Sequence, residues 1–226
     1  MSLPTLLVVA KAPVAGQAKT RLTALLSPEA AADLAAAALL DTLAAVTATP
    51  AACRVVAFTG ELARAQRRDE LQQALENFVV VAQRGTGFAA RLVAAHTDAA
   101  AAAGATAGVL QIGMDTPQVT PALLSAAAAQ LSTVDAVLGR ALDGGWWCLG
   151  VRRPELATAL AGVPMSCADT GDLTLAALRR AGASVRLLPE LQDVDTPDDI
   201  VAVAQAAAGT RFSAAVAASA ALAPCR

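Results

Sequence analysis

Residues 8–22 read VVAKAPVAGQAKTRL, and this stretch sets the first unit of the fold. An apolar run ends at Lys11, a loop containing Gly16 follows, and a helical pattern begins soon after Arg21. A strand, loop and helix in this order typically open a crossover unit of a parallel sheet. Lys19 and Arg21 lie where a helix N-terminus would favour negative charge, and Gly16 permits close backbone approach, so the loop predicts a phosphate site. A surface turn with solvated cations explains the same residues equally well.

Strand and helix patterns alternate along the rest of the chain. Runs typical of strands are TLLVVA, CRVVAFT, FVVVAQ, GVLQIG, DAVLGR, WWCLGV and SVRLLPE. Helical patterns cover 28–48, 61–76, 87–103, 120–131, 154–161 and 169–181. This alternation predicts an α/β protein, a three-layer α/β/α sandwich around a mostly parallel sheet. Ser27, Thr120 and Thr196 each precede a proline, which predicts three helix N-termini.

The composition limits the kinds of partner. Lys and Arg number 17 and Asp and Glu 19, so the net charge of −2 provides no broad basic surface for nucleic acid. No window of about 18 apolar residues lacks a charge, and we therefore expect no membrane insertion. Four scattered cysteines without a CxxC pair argue against a zinc site. Together with the absence of a signal-peptide pattern, these features predict a cytoplasmic protein.

Two acidic segments follow predicted strands, where ligands of open α/β sheets collect. Asp115 follows GVLQIG after one intervening residue and suits either a helix cap or a divalent cation, since Mg²⁺ needs only one or two carboxylates when phosphate oxygens complete its shell. Asp193 and Asp195 follow SVRLLPE. On an extended backbone they would point to opposite sides, so only one of them is expected to face a site. Thr196 caps the next helix in this interpretation, leaving Asp195 for a metal.

Two further loops carry polar groups. Gln83 follows FVVVA in a glycine-containing loop and suits the edge of a nucleobase, although plain connection chemistry fits as well. Asp143 precedes two glycines and a pair of tryptophans. One tryptophan should be core and the other could stack on a ligand ring, whereas Asp143 suits either a hydroxyl, a cation or an ordinary turn. His96 lies in a helix away from any strand end, which indicates a packed or surface residue.

AKAPVAGQAKTRL, QIGMDTPQVT, LGRALDGGWWCLGV and DVDTPDDI occur in an order that resembles a bacterial family of small GT-A-fold proteins, known as DUF2064 or glycosyltransferase-A-like proteins. The resemblance covers nearly the whole chain and implies the nucleotide-diphospho-sugar transferase fold. Similar proteins include the nucleotidyltransferases that make molybdenum cofactor dinucleotides and the guanylyltransferase of deazaflavin cofactor synthesis. The chain departs from the LAAGxGxR loop and the DxD motif of better-known relatives.

The resemblance also implies roles for particular residues. The opening loop would hold the donor's phosphates, and the loop after the third strand would contact its base. Asp115 and Asp195 would bind Mg²⁺ or Mn²⁺, and Asp143 would line the acceptor side as a catalytic group beside Asp115, Lys19 and Arg21. The substrate-binding residues implied in this way are Ala10, Lys11, Gly16, Lys19, Arg21, Gln83, Gly87, Gly144, Gly145 and Trp146.

The expected function is a metal-dependent transferase with a nucleotide-activated donor, first of all a glycosyltransferase that uses a nucleotide sugar. A nucleotidyltransferase that moves a nucleotide from an NTP to a phosphorylated small molecule is the alternative. A non-catalytic nucleotide-binding module is the candidate of another class. Residues 1–226 are expected to form one domain, with a nucleotide-binding half over 1–112, a metal and acceptor half over 113–210 and a tail over 211–226. A homo-oligomer is compatible with this sequence.

Overall fold

The computed structural model describes residues 3–104 and 108–221, with side chains up to residue 219. The strands are β1 Thr5–Lys11, β2 Arg54–Thr59, β3 Val79–Ala82, β4 Val109–Ile112, β5 Ala136–Ala141, β6 Trp146–Val151 and β7 Val185–Leu191. The α-helices are α1 Pro28–Thr47, α2 Arg68–Leu75, α3 Phe88–Ala102, α4 Pro121–Leu131, α5 Thr170–Arg180, α6 Pro197–Ala206 and α7 Arg211–Ala221. Short 3₁₀ helices cover Thr20–Ala24, Leu62–Arg64 and Pro154–Gly162.

The strands form one sheet in the order β3-β2-β1-β4-β6-β5-β7. Strand β6 is antiparallel to both of its neighbours, β4 and β5, and the other pairings are parallel. The predicted, mostly parallel sheet is therefore confirmed. Because β6 alone runs backwards, its first residue lies at the same edge of the sheet as the last residues of the other six strands.

Apolar side chains pack on both faces of this sheet. On one face, α1, α2 and α4 contribute Leu39, Leu71 and Leu124 to a buried cluster. On the other face, α3 and α5 contribute Leu92 and Leu178 to a second cluster. The two clusters make the sheet the middle of three layers, as the alternating sequence pattern predicts.

Three helices begin at the Ser-Pro and Thr-Pro sites. The Ser27 hydroxyl accepts a hydrogen bond from the Ala30 amide at 3.1 Å, and Thr120 caps α4 in the same way through the Leu123 amide at 3.2 Å. At α6 the acceptor is instead Asp199, whose carboxylate takes the Thr196 amide at 2.6 Å. Each arrangement satisfies donors that a helix N-terminus leaves without partners.

Two local predictions are wrong. The segment 61–76 is not one helix, because Arg67 adopts φ 50° and separates a 3₁₀ turn from α2. The Arg67 guanidinium donates to both carboxylate oxygens of Asp33 at 2.8 Å, which holds this break in place. The segment after Lys19 is a 3₁₀ helix of five residues rather than the start of α1, so no long helix directs its N-terminus at this loop.

The C-terminal helix α7 packs against α1. The carboxylate of Asp41, a buried residue of α1, accepts the backbone amides of Arg211 and Phe212 at 3.1 and 2.8 Å, and the Phe212 side chain is fully buried. The tail is thus anchored at its start, and residues 222–226 lie outside the described part. Helix α1 is long and apolar enough to cross a membrane, but most of it is buried inside the protein as a core helix.

Gly139 makes room for a core tryptophan. A Cβ added to this glycine would lie 2.4 Å from Nε1 of Trp147, whose indole is 2% exposed and donates to the Pro189 carbonyl at 3.0 Å. We expect Gly139→Ala to lower the free energy of unfolding by about 1–3 kcal/mol, because the indole must shift in a packed core. Urea unfolding measures this change.

Gly162→Ala is the matched control, since a Cβ at that position meets nothing within 4 Å. Its free energy of unfolding should stay within about 0.5 kcal/mol of the parent protein. Equal losses in the two variants would contradict the steric explanation.

Candidate active site

The sheet topology gathers the polar loops at one edge. Loops that follow β1, β4 and β7 bring Lys19, Asp115 and Asp195 there, although these residues are far apart in sequence. The β5–β6 hairpin brings Asp143 and Trp146 to the same edge because β6 runs backwards. This edge surrounds a cavity of about 790 Å³. Ten of the residues singled out from the sequence line it, namely Ala10, Lys11, Lys19, Arg21, Gln83, Asp115, Asp143, Gly145, Trp146 and Asp195.

Lys19, in the loop that follows β1, bridges two carboxylates. Its Nζ lies 2.7 Å from Asp115 Oδ2 and 2.7 Å from Asp195 Oδ1, and only 12% of its side chain is exposed. Burial alone would lower the pKa of Lys19, but the charges of Asp115 and Asp195 outweigh burial and raise it above its ordinary value. The ammonium is therefore held in its charged form between the two acids.

Arg21 is a weaker member of this group. Its guanidinium lies 3.3 Å from Asp195 Oδ2, and 68% of its side chain is exposed. Exposed ion pairs contribute little to stability, so Arg21 is available to a ligand at small cost. Lys11, in contrast, donates from Nζ to the Gln17 carbonyl at 3.0 Å and is exposed at the rim.

Asp193 joins the two acids and corrects one expectation. Carboxylate oxygens of Asp115, Asp193 and Asp195 lie within 4.8 Å of one another, so both aspartates after β7 face the site. The expected alternation, in which Asp193 and Asp195 point to opposite sides, does not apply, because the strand ends at Leu191 and the chain bends at Val194. The Val194 amide donates to the Asp115 carbonyl at 3.2 Å, which ties this bend to the loop after β4.

The acid cluster holds more negative charge than its own cations balance. Burial and the nearby carboxylates of Asp115, Asp143 and Asp195 raise the pKa of Asp193 to about 7. Three carboxylates around one buried ammonium suit a divalent cation, because hard cations such as Mg²⁺ and Mn²⁺ prefer oxygen ligands. The Lys19 ammonium already lies between two of these carboxylates, those of Asp115 and Asp195.

Gln83 is held by the sheet itself. Its Nε2 donates to the carbonyls of Ala10 and Ala57 at 2.9 and 3.0 Å. The amide nitrogen is thereby occupied, and the carbonyl oxygen remains as the acceptor of a side chain that lines the cavity. The geometry suits recognition of a ligand N–H group, which is compatible with the predicted contact to a nucleobase.

Three predicted glycines lie outside the cavity lining. Gly16 and Gly87 have φ of 73° and 85°, and a Cβ at either would meet nothing within 4 Å. Glycine is therefore favoured at both positions by the positive φ and not by a close contact. At Gly144 a Cβ would lie 1.8 Å from the Ala168 carbonyl, so this position needs glycine for packing. Their roles toward a substrate stay predictions.

The tryptophan pair divides between core and cavity. Trp147 is the core residue described above, and Trp146 is partly buried and lines the cavity. Beside it, the Asp143 carboxylate accepts the Gly145 amide at 2.8 Å, the turn geometry that the sequence offers as an alternative. Asp143 nevertheless lines the cavity, so it can contact a ligand while it holds the turn.

Several lining residues were not singled out from the sequence. They include Phe88 and Arg91 of α3, Gln111 of β4, Met114, and the segment 165–168 before α5. Gln111 had a usable signal, because a polar residue stands inside an otherwise apolar strand. The segment before α5 had none, since its position depends on its packing against the β5–β6 hairpin.

Solved structures share this fold. A provisionally named nucleotide-diphospho-sugar transferase from Desulfovibrio desulfuricans G20 is 26% identical, with a TM-score of 0.83 over 98% of this chain and 97% of that one. Rv0371c from Mycobacterium tuberculosis H37Rv, solved as a complex with manganese, is 22% identical, with a TM-score of 0.51 over 89% and 98% of the two chains. A 2-C-methyl-D-erythritol 4-phosphate cytidylyltransferase from Thermus thermophilus is 18% identical, with a TM-score of 0.52 over 92% and 100%.

These likenesses confirm the predicted fold, which is that of nucleotide-diphospho-sugar transferases. A search of curated proteins finds no match. The family described as "Uncharacterized protein conserved in bacteria (DUF2064)" matches residues 42–167, which is more than half of the chain. The chain therefore belongs to the DUF2064 family, as its motifs predict.

Proposed function

We propose that this protein is a metal-dependent glycosyltransferase that takes its sugar from a nucleotide sugar. The observation that carries the proposal is the contact of Lys19 with Asp115 and Asp195, beside Asp193, in the lining of one large cavity. The likeness to a nucleotide-diphospho-sugar transferase over nearly the whole chain supports a donor of this class.

Asp115 and Asp195 would hold the divalent cation, with Asp193 as a third oxygen donor. Their carboxylates already gather around a cation, the Lys19 ammonium, so the donor set fits Mg²⁺ or Mn²⁺. When bound, such an ion would neutralise the charge that develops on a diphosphate leaving group. Rv0371c, which shares the fold, was solved with manganese.

The chain's own residues would position the reactants. Lys19 and Arg21 would bind phosphate oxygens of the donor, and Trp146 would form an apolar wall that excludes water. The hydroxyl oxygen of a small acceptor would attack C1 of the sugar while the bond from C1 to the diphosphate oxygen breaks. The nucleoside diphosphate leaves with that electron pair, and the Asp143 carboxylate takes the hydroxyl proton.

Two parts of the chain would contribute different residues to this reaction. Residues 1–112 would supply the phosphate-binding and base-binding loops, and residues 113–210 would supply the metal ligands and the acceptor side. Lys19 contacts Asp115 and Asp195 across this boundary. Donor binding and metal binding would consequently depend on each other.

Nucleotidyl transfer is the second candidate, because cytidylyltransferases share the fold. In that reaction an acceptor phosphate oxygen would attack the α-phosphorus of an NTP, and pyrophosphate would leave with the electrons of the broken P–O bond. The same cationic loop would serve both reactions, because each displaces a phosphate-bearing leaving group. The released product distinguishes them.

We expect the purified protein to release a nucleoside diphosphate from a nucleotide sugar in the presence of Mn²⁺ or Mg²⁺. The experiment incubates it with each common nucleotide sugar and each NTP, together with a panel of sugars, polyols and sugar phosphates as acceptors. Nucleoside diphosphate and pyrophosphate are measured separately. Acceptor-dependent release of pyrophosphate from an NTP would contradict sugar transfer and support nucleotidyl transfer. Thermal stabilisation by nucleotides without turnover would support a binding module, and no stabilisation by any nucleotide would contradict the proposal.

A further inference from the structure

A buried polar pair lies beneath the cavity and has no role in the proposed chemistry. His96 of α3 is 0% exposed and Gln111 of β4 is 3% exposed, and His96 Nε2 lies 2.9 Å from Gln111 Oε1. Polar groups are rarely placed in a core without a reason, since burial without a partner costs free energy. The pair lies on the sheet face that α3 covers, and Gln111 is four residues before Asp115 in the sequence.

The hydrogen-bond chemistry fixes the orientation of both side chains. Oε1 of Gln111 can only accept, so His96 Nε2 carries the proton and Nδ1 is the bare acceptor. Nδ1 has no partner within the described residues. With the amide reversed, Nδ1 would hold a proton without an acceptor, and buried orphan N–H groups are rarer than orphan acceptors. Burial lowers the pKa of His96 to about 4, so the ring is neutral near pH 7.

This orientation leaves the Gln111 amide nitrogen for a ligand. Gln111 lines the cavity, and its Nε2 makes no hydrogen bond to residues 3–104 or 108–219. Trp146 lines the same cavity, and its Nε1 is also buried without a partner among these residues. Gln111 therefore brings a neutral N–H donor without an acceptor among the described residues to a wall that also contains the aromatic side chains of Phe88 and Trp146.

We propose that Gln111 is a specificity-determining residue that donates a hydrogen bond to an uncharged ring of the substrate, and that His96 is the positioning residue that holds its amide. Neutral donors beside aromatic surfaces suit a ring with acceptor atoms, and the phosphates belong at the cationic end of the cavity. The nucleoside and the transferred sugar of a nucleotide sugar share this chemistry. The inference rests on the proposed use of such a donor.

Gln111→Met is the test, since methionine keeps the length of the side chain and removes both polar atoms. Tryptophan fluorescence reports binding of Mn²⁺ with pyrophosphate, with each nucleoside diphosphate and with each nucleotide sugar. We expect pyrophosphate, which has no ring, to bind both proteins equally. Ligands whose ring reaches Gln111 should bind the variant about 3- to 10-fold more weakly, the loss typical of one hydrogen bond. A loss already present with nucleoside diphosphates identifies the nucleoside as the contact, and a loss confined to nucleotide sugars identifies the transferred sugar.

His96→Phe tests the positioning role. It should weaken the same ligand in the wild-type background but add no further loss to Gln111→Met, because its effect acts through the amide. Thr5→Val is the matched control: it removes a buried, unpartnered hydroxyl from the far end of β1 and should leave every affinity unchanged. If Gln111→Met does not fold, Gln111→Glu keeps an acceptor for His96 and should lose at least as much affinity.

Equal binding of all ligands to wild type and a folded Gln111 variant would overturn the inference, and so would an equal loss for pyrophosphate. Either result would leave the proposed function standing. If the wild-type protein binds no nucleoside diphosphate and no nucleotide sugar, the proposed function fails and this inference falls with it.

Discussion

Asp115→Asn and Asp195→Asn should each weaken Mn²⁺ binding by at least about 100-fold, because loss of outer-shell partners alone costs roughly 10- to 100-fold in metal sites and these side chains are the proposed ligands themselves. Asparagine keeps the shape and one acceptor oxygen but removes the charge. Both side chains are partly exposed, at 28% and 30%, and lie in loops, so the variants should still fold. Calorimetric titration with Mn²⁺ in the absence of nucleotide measures the loss.

Asp69→Asn controls for net charge. Its carboxylate is 83% exposed on α2 and pairs with Arg68 at the surface, so the variant should bind Mn²⁺ like the parent protein. The far-UV circular dichroism of all three variants should match the wild type. If the wild type, Asp115→Asn and Asp195→Asn bind Mn²⁺ with equal affinity, these two residues are not the metal ligands. The proposed reaction would then be contradicted.

The strands could be predicted from the sequence because short apolar runs separated by helical patterns leave few alternatives. The run WWCLGV is recognisable as a strand, but its direction is not, because a hydrophobic pattern reads the same both ways. In the structure β6 runs antiparallel to its neighbours β4 and β5. This direction places Trp146, the first residue of β6, at the cavity. The break at Arg67 was also hidden, since it depends on the distant Asp33.

The central residues of the candidate site could be predicted because each lies in a loop that follows a strand. Parallel strands bring their ends to one edge, so Lys19, Asp115 and Asp195 meet despite separations of 96 and 176 residues from Lys19. Asp193 could not be placed by the same reasoning, because the bend at Val194 ends the strand alternation. The place of Gln111 in the cavity lining could not be predicted from its own strand, because its side chain is held by His96, which lies on α3.

Lys19→Met should raise the affinity for Mn²⁺ by about tenfold or more in the absence of nucleotide, since an ammonium at about 4 Å opposes a cation by several kcal/mol at an effective dielectric near 20. In the structure Nζ contacts both proposed metal ligands at 2.7 Å and so competes for them. The same variant should bind Mn²⁺ with pyrophosphate more weakly, because Lys19 is the proposed phosphate ligand. Calorimetry of both titrations measures the two opposite changes.

Arg21→Met is the matched control, because it removes a cation that is exposed and lies 3.3 Å from Asp195. Its affinity for Mn²⁺ alone should change by no more than about twofold, as expected of a surface pair. Opposite effects on metal and on pyrophosphate separate the two roles of Lys19 from general destabilisation, which would weaken both. If Lys19→Met binds Mn²⁺ no better than the wild type, the ammonium does not occupy the metal position.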